Sequence, residues 1–246
     1  MLKEGSFEVF KYILYKPSNE SNLPLIVVLH GSGERGSRLS KLKKREPYIS
    51  LNKGTCKPNA CILMPQLPKN SWGNYKNTLK KLIDRVAADN KCDKTRISIS
   101  GHSLGANGAM DMLFAFPNYF SAASILSPCK DYGDKLKELV HSPLWFLHGE
   151  KEHTYKKYAR SMASRFEKLG GTSRLTSVAG YGHPIQFCWV SSKYKMFEYL
   201  ASFVVKLPVY PTWDEYIKSI SSSIDKRIPA DIAKRLGLEP TYITPV

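Results

Sequence analysis

Short hydrophobic runs alternate along this chain with longer stretches in which apolar residues recur every three or four positions. The short runs predict strands near 7–15, 25–30, 61–64, 96–100, 122–126, 143–148 and 173–178. The longer stretches predict helices near 74–89, 104–115, 154–169 and 191–205, the first with Leu79, Leu82, Ile83 and Val86 on one face. Such alternation is typical of an α/β fold with a mostly parallel central sheet flanked by helices on both faces.

The chain divides into two regions of different pattern. With 246 residues, of which 42% are hydrophobic, it can build one large core. Beyond residue 205 a proline-containing segment reads as a linker, and two short helical stretches follow near 213–224 and 229–236. We therefore expect one domain over 1–205 and a C-terminal helical extension over 206–246, which docks on the core or mediates homo-oligomer formation.

Hydropathy and cysteine usage predict a cytoplasmic protein without a membrane span. No apolar run reaches the ~18 residues that a transmembrane helix needs, and residues 1–6 lack a hydrophobic signal region. Secretion after removal of a signal stays open. The five cysteines are an odd number without zinc-ligand spacing, which favours reduced thiols and no metal site. A Cys56–Cys61 loop disulfide is the alternative.

The charge is strongly positive and unevenly distributed. Lys and Arg number 37 against 21 Asp and Glu, giving a formal net charge of +16. Two clusters lie in loops expected at the carboxyl ends of strands: Arg38, Lys41, Lys43, Lys44 and Arg45, and Lys151, Lys156, Lys157 and Arg160. They form either an ordinary solvated surface or a rim that attracts an anionic polymer. Nucleic-acid binding is not expected, because no recognised module accompanies the charge.

The segment Gly101-His102-Ser103-Leu104-Gly105 follows a predicted strand and precedes a predicted helix. A serine hydroxyl needs exposure, an adjacent base and oxyanion stabilisation to act as a nucleophile. A sharp strand-to-helix turn supplies the exposure, and the helix N-terminus favours negative charge. Ser103 is therefore a candidate nucleophile, and an ordinary Gly/Ser turn is the alternative.

Candidates for the acid and the base follow Ser103 in the expected chain order. Glu150 and Glu152 come directly after the predicted strand 143–148, where a carboxylate could orient an imidazole. His183 lies beyond them, in a glycine-containing loop after the predicted strand 173–178. Of the six histidines, only His183 is both downstream of the acid and in a strand-terminal loop.

An oxyanion hole requires two N–H groups aimed at the developing negative charge. The residue after the nucleophile, Leu104, supplies the first. The glycine-containing loop after the predicted strand 25–30 supplies the second, and we expect Ser32 N–H to be the donor, with Gly33 next.

These segments together resemble the α/β-hydrolase superfamily, in particular the dienelactone-hydrolase-like group related to feruloyl and acetyl-xylan esterases. The matching segments span about residues 24–200 and comprise Leu29 to Gly36, Met64-Pro65-Gln66 with Trp72, Gly101 to Gly105, Phe116 to Phe120, His148 to Glu152 and Gly182-His183. The resemblance implies that the acid is Glu152, with Glu150 as the alternative. Serine in place of the dienelactone hydrolase cysteine implies a carboxylic-ester hydrolase that forms an acyl-enzyme without a metal or organic cofactor.

The expected substrate is a small-molecule or glycan ester. We expect a short acyl group, because no segment between the predicted sheet elements is long enough to form an apolar lid. Trp72 and Trp189 are candidates to present flat faces to a sugar or an aromatic acyl group, and Gln66 is a candidate polar contact. Two alternatives remain: a prolyl-oligopeptidase-like serine peptidase, and a catalytically silent α/β-hydrolase fold that serves as a binding module.

Overall fold

The computed structural model describes residues 1–205, so the predicted extension over 206–246 lies outside the described residues. Eight strands form one sheet: β1 (Leu2–Phe7), β2 (Phe10–Tyr15), β3 (Leu25–Leu29), β4 (Cys61–Gln66), β5 (Ile97–His102), β6 (Ala123–Leu126), β7 (Leu144–Gly149) and β8 (Ser173–Val178). Their order is β1-β2-β4-β3-β5-β6-β7-β8. The strands β3 to β8 pair in parallel, whereas β1 and β2 pair antiparallel at one edge. The predicted fold class is confirmed.

Within residues 1–205, five α-helices cover the two faces of the sheet: α1 (Tyr48–Lys53), α2 (Lys76–Asp89), α3 (Leu104–Ala115), α4 (Thr154–Lys168) and α5 (Met196–Ala201). Buried residues of α2, α3 and α4 pack on one face, and those of α1 and α5 pack on the other. The central strand β3 shows why both faces are apolar. Leu25, Val27 and Leu29 enter the first core, and Ile26 and Val28 enter the second, because successive side chains of a strand point to opposite faces.

Three elements differ from the sequence prediction. The strand expected over 7–15 is the second half of a hairpin, whose tight turn places Glu8 at a φ of 48° without a glycine, asparagine or proline to signal it. The helix expected over 191–205 is limited to α5, because Lys195 adopts a left-handed conformation immediately before it. The short helix α1 has too few turns for a helical period to be recognised.

Two further findings concern the thiols and the membrane. All five cysteines are free, so the Cys56–Cys61 disulfide is not formed, and Cys61 is buried within β4. None of the helices described in residues 1–205 is both long enough and apolar enough to cross a membrane.

Candidate active site

Ser103 occupies a sharp turn between β5 and α3. Its φ and ψ are 57° and −118°, a conformation that a residue with a side chain adopts only when its surroundings impose it. Here the Ser103 N–H donates to Leu126 O at 2.9 Å. The flanking glycines allow the turn to pack closely, because a Cβ on Gly101 would lie 2.0 Å from Gly105 O, and one on Gly105 would lie 2.0 Å from Leu29 O.

A chain of hydrogen bonds joins Ser103 to two side chains from distant segments. The Oγ of Ser103 lies 2.9 Å from His183 Nε2, and His183 Nδ1 lies 2.6 Å from Glu152 Oε1. A proton on Nδ1 that is donated to the carboxylate leaves the lone pair of Nε2 free to accept the serine hydroxyl proton. The geometry is therefore suited to general-base activation of Ser103.

Glu152 is held as a carboxylate in a buried position. Its side chain is only 2% exposed, whereas that of His183 is 35% exposed. Burial by itself would raise the pKa of Glu152, but hydrogen bonds from His183, from the hydroxyl of Ser127 and from the N–H of Gly149 outweigh it and lower the pKa. The charge that the imidazole would need is therefore retained at neutral pH.

The alternative acid, Glu150, has a different place. Its Oε2 accepts the N–H of Gly180 at 2.7 Å and so ties down the loop that carries His183. The N–H of Lys151 donates to Tyr181 O at 2.9 Å and adds a second connection between the same two loops. The structure thus brings Glu152, and not Glu150, to His183.

The segment predicted to hold an oxyanion lies beside Ser103. A side chain at Gly31 would come within 3.6 Å of Ser103 Cβ. The imidazole of His30 accepts Leu67 N–H on Nε2 at 2.9 Å, which leaves Nδ1–H to donate to Gly31 O at 2.6 Å. Because the carbonyl and the N–H of one trans peptide point to opposite sides, this bond also fixes the direction of Ser32 N–H.

The two predicted donors each begin a helical segment. Ser32 starts a 3-10 helix over Ser32–Glu34, and Leu104 is the first residue of α3. The first N–H groups of a helix have no partner within it. Both are therefore suitable oxyanion donors by their position.

The three predicted substrate contacts are buried, which corrects the expectation that they face a substrate. Trp72 and Trp189 are 1% and 2% exposed, and their indole N–H groups donate to His30 O and to Ser100 Oγ. Gln66 is 1% exposed and donates to the carbonyls of Glu34 and Arg38. Large rings gain most by complete burial when the polar N–H finds a partner, and both indoles do so here.

Three side chains at the site were not predicted. Ser127 follows β6 and donates to Glu152, and Cys129 Sγ lies 3.5 Å from Ser103 Oγ. The ring of Tyr155 in α4 stacks on His183 with ring centroids 4.3 Å apart. Ser127 could have been found, since it follows a predicted strand at the same edge as Ser103. Nothing in the sequence pattern marks Tyr155.

Much of the predicted basic rim is engaged in local contacts. Lys43 pairs with Glu4 at 2.5 Å and Arg45 pairs with Glu34 at 3.1 Å. Lys156 donates to Glu150 O at 3.1 Å. These contacts favour the interpretation of the two basic clusters as an ordinary solvated surface, not as a rim that attracts an anionic polymer. Within residues 1–205, no group of three or more His, Cys, Asp or Glu side chains is arranged to hold a metal ion.

The family model named "Putative esterase" matches residues 10–168. The chain belongs to this esterase family. The match includes Ser103 and Glu152 and ends before His183, which the fold nonetheless brings to the same site. No curated protein sequence matches the chain.

Solved structures with the same fold include several esterases. A thermostable esterase is 22% identical with a TM-score of 0.65, and the match covers 83% of this chain but only 62% of that one. A ferulic acid esterase is 13% identical with a TM-score of 0.62, covering 82% and 97% of the two chains. An esterase of Pyrobaculum calidifontis is 12% identical with a TM-score of 0.60, covering 78% and 80%. These similarities show that the chain has the α/β-hydrolase fold.

The buried histidines beside the site predict how stability depends on pH. Burial lowers the pKa of His30 and of His102 to about 4. Both return to about 6.5 on unfolding and then bind protons that the folded protein excludes. The free energy of unfolding should therefore fall as pH drops from about 6.5 towards 4, by up to about 3 kcal/mol for each residue. Urea unfolding at about pH 7.5 and about pH 5 measures the difference.

Two variants test whether a buried histidine causes this dependence of the free energy of unfolding on pH. His102→Asn should flatten it, whereas His141→Asn, which alters an exposed histidine, should leave it unchanged. Equal stability of the unmodified protein at both pH values would contradict the assignment.

Proposed function

We propose that the protein is a serine-dependent carboxylic-ester hydrolase that removes short acyl groups, acetyl or similar, from a carbohydrate or similar alcohol. The observation that carries the proposal is the hydrogen-bonded chain from Ser103 through His183 to Glu152. Membership of the esterase family supports the same reaction class. A catalytically silent binding module would not need this chain of hydrogen bonds or the strained conformation of Ser103.

Each group has a defined role in the proposed reaction. His183 Nε2 takes the proton of Ser103 as Oγ attacks the ester carbonyl, and Glu152 stabilises the resulting imidazolium. The N–H groups of Ser32 and Leu104 stabilise the oxyanion. His183 then returns the proton to the departing alcohol. A water molecule, activated by the same imidazole, cleaves the acyl-enzyme and releases the acid.

The arrangement around Ser103 limits the acyl group. In the tetrahedral intermediate the oxyanion faces Ser32 and Leu104, and the departing oxygen faces His183, so the acyl substituent takes the remaining direction. We assign Cys129 to that side, because its Sγ lies 3.5 Å from Ser103 Oγ. The Cys129 N–H donates to Asn107 Oδ1 at 3.0 Å, which fixes the loop to α3. A fixed wall this close favours a small acyl group.

The structure of the segment between β6 and β7 also favours a substrate with a small acyl group. Its one helical segment, a 3-10 helix over Gly133–Leu139, buries Leu136 and Leu139 in the core. This segment therefore does not present an apolar surface for a long alkyl chain. One face of the partly exposed Tyr155 ring stacks on His183, and we assign this ring to the alcohol side, where a sugar ring can pack against it.

Removal of the nucleophile tests the reaction class. Ser103→Ala should lower kcat for 4-nitrophenyl acetate by about 10³-fold or more, because it removes the hydroxyl that His183 activates to form the acyl-enzyme. The far-ultraviolet circular dichroism spectrum should be unchanged. The exposed Ser37→Ala variant is the matched control and should keep full activity. Retained turnover by folded Ser103→Ala would rule out the assignment.

A panel of esters tests the substrate class. For one alcohol, acetate should be cleaved much faster than palmitate, because the wall at Cys129 leaves little room beyond the carbonyl. Acetylated saccharides should have a higher kcat/KM than simple acetates. The rates are measured with 4-nitrophenyl esters and by release of acetate.

Two variants separate the acyl side from the alcohol side. Cys129→Ala should raise the relative rate of longer acyl groups, and Tyr155→Ala should raise KM for the saccharide substrate alone. Cys56→Ala, which alters a partly buried thiol in another loop, is the control for Cys129. Faster palmitate than acetate cleavage would indicate a lipase, and equal rates for sugar and simple acetates would leave a general esterase.

A further inference from the structure

The two carboxylate oxygens of Glu152 have separate sets of partners. Oε1 faces His183 Nδ1 at 2.6 Å. Oε2 accepts the Ser127 hydroxyl at 3.0 Å and the Gly149 N–H at 2.9 Å. One oxygen is thus directed at the imidazole while the other is anchored to the ends of β6 and β7. Because Gly149 donates through its backbone, Ser127 provides the only one of the two anchors that depends on a side chain.

The backbone at Ser127 has an unfavourable conformation. Its φ is 49°, in the left-handed region that residues with a side chain seldom adopt. The residue is fully buried, and its N–H donates to Leu147 O at 2.8 Å. Among residues 1–205 its hydroxyl has one hydrogen-bond partner, Glu152. A costly conformation that places one hydroxyl against one carboxylate points to a role in orienting that carboxylate.

The identity of the acid explains why such an anchor is useful. Glutamate has one more rotatable bond than aspartate, so more side-chain freedom must be restricted to present one oxygen to the imidazole. Two donors on Oε2 fix the carboxylate plane and thereby the direction of Oε1. A hydrogen bond to a charged acceptor is strong enough to select one orientation.

We propose that Ser127 is a positioning residue that sets the orientation of Glu152 towards His183. The proposal rests on the proposed function, because it takes Glu152 as the acid of the triad. Ser127 acts through the Glu152 carboxylate and makes no hydrogen bond to Ser103 or His183 within the described residues.

A double-mutant cycle tests this role with 4-nitrophenyl acetate as substrate. Ser127→Ala should lower kcat by about 10-fold and leave KM within about 2-fold, because the lost bond orients the acid and does not contact substrate. In the Glu152→Gln background the same substitution should change kcat by less than about 2-fold, since the carboxylate that it orients is gone. Ser127→Gly, which accommodates the positive φ, should reproduce the loss seen with alanine and serves if the alanine variant does not fold.

One control variant and a comparison of the two acid variants distinguish a failure of the Ser127 proposal from a failure of the proposed function. Ser124→Ala removes a fully buried hydroxyl within β6, one that contacts Ser100 and Met196 and not the triad, and should keep kcat within about 2-fold. An unchanged kcat in Ser127→Ala, or an equal loss in both backgrounds, would overturn the role of Ser127. If Glu152→Gln keeps full activity while Glu150→Gln loses it, the acid itself has been misassigned, and the proposed function fails at that residue.

Discussion

Close packing of the turn at Ser103 against the end of β3 is the constraint on which the site depends. No side chain fits at Gly105, because its Cβ would collide with Leu29 O. No side chain fits at Gly101 either, because its Cβ would collide with Gly105 O. The two backbones therefore approach each other directly. This contact places the start of α3 beside the Gly31 loop, where a Cβ on Gly31 would lie 3.6 Å from Ser103 Cβ.

The parallel sheet brings the remaining groups to the same edge. Strands β5, β7 and β8 all end there, and the loops after them carry Ser103, Glu152 and His183. Hydrogen bonds between neighbouring loops then hold them in place. His102, at the end of β5, has its Nε2 2.8 Å from His183 O, and Glu150 binds Gly180 N–H. The geometry of the site thus depends on contacts of His102 and Glu150 with the backbone of the His183 loop, and these contacts involve no substrate.

The sequence predicted those features that depend on order along the chain. Ser103, Glu152 and His183 each follow a strand, and parallel strands bring such positions together whatever the details of packing. The pattern could not distinguish a tryptophan at the mouth of a site from one in the core, because an apolar ring suits both. Trp72 and Trp189 are therefore in the core. The position of Ser127 after a predicted strand could have been recognised in the sequence. The left-handed backbone at Ser127 could not, because no residue type there signals it.

Covalent labelling is the decisive experiment for the proposed role of Ser103 as the nucleophile. Diethyl 4-nitrophenyl phosphate transfers its phosphoryl group to a serine that is activated by an adjacent base and releases 4-nitrophenolate. We expect one diethylphosphoryl group per chain, mapped by peptide mass spectrometry to Ser103, and much slower labelling in His183→Ala. Labelling at another residue, or none while ester hydrolysis persists, would contradict it.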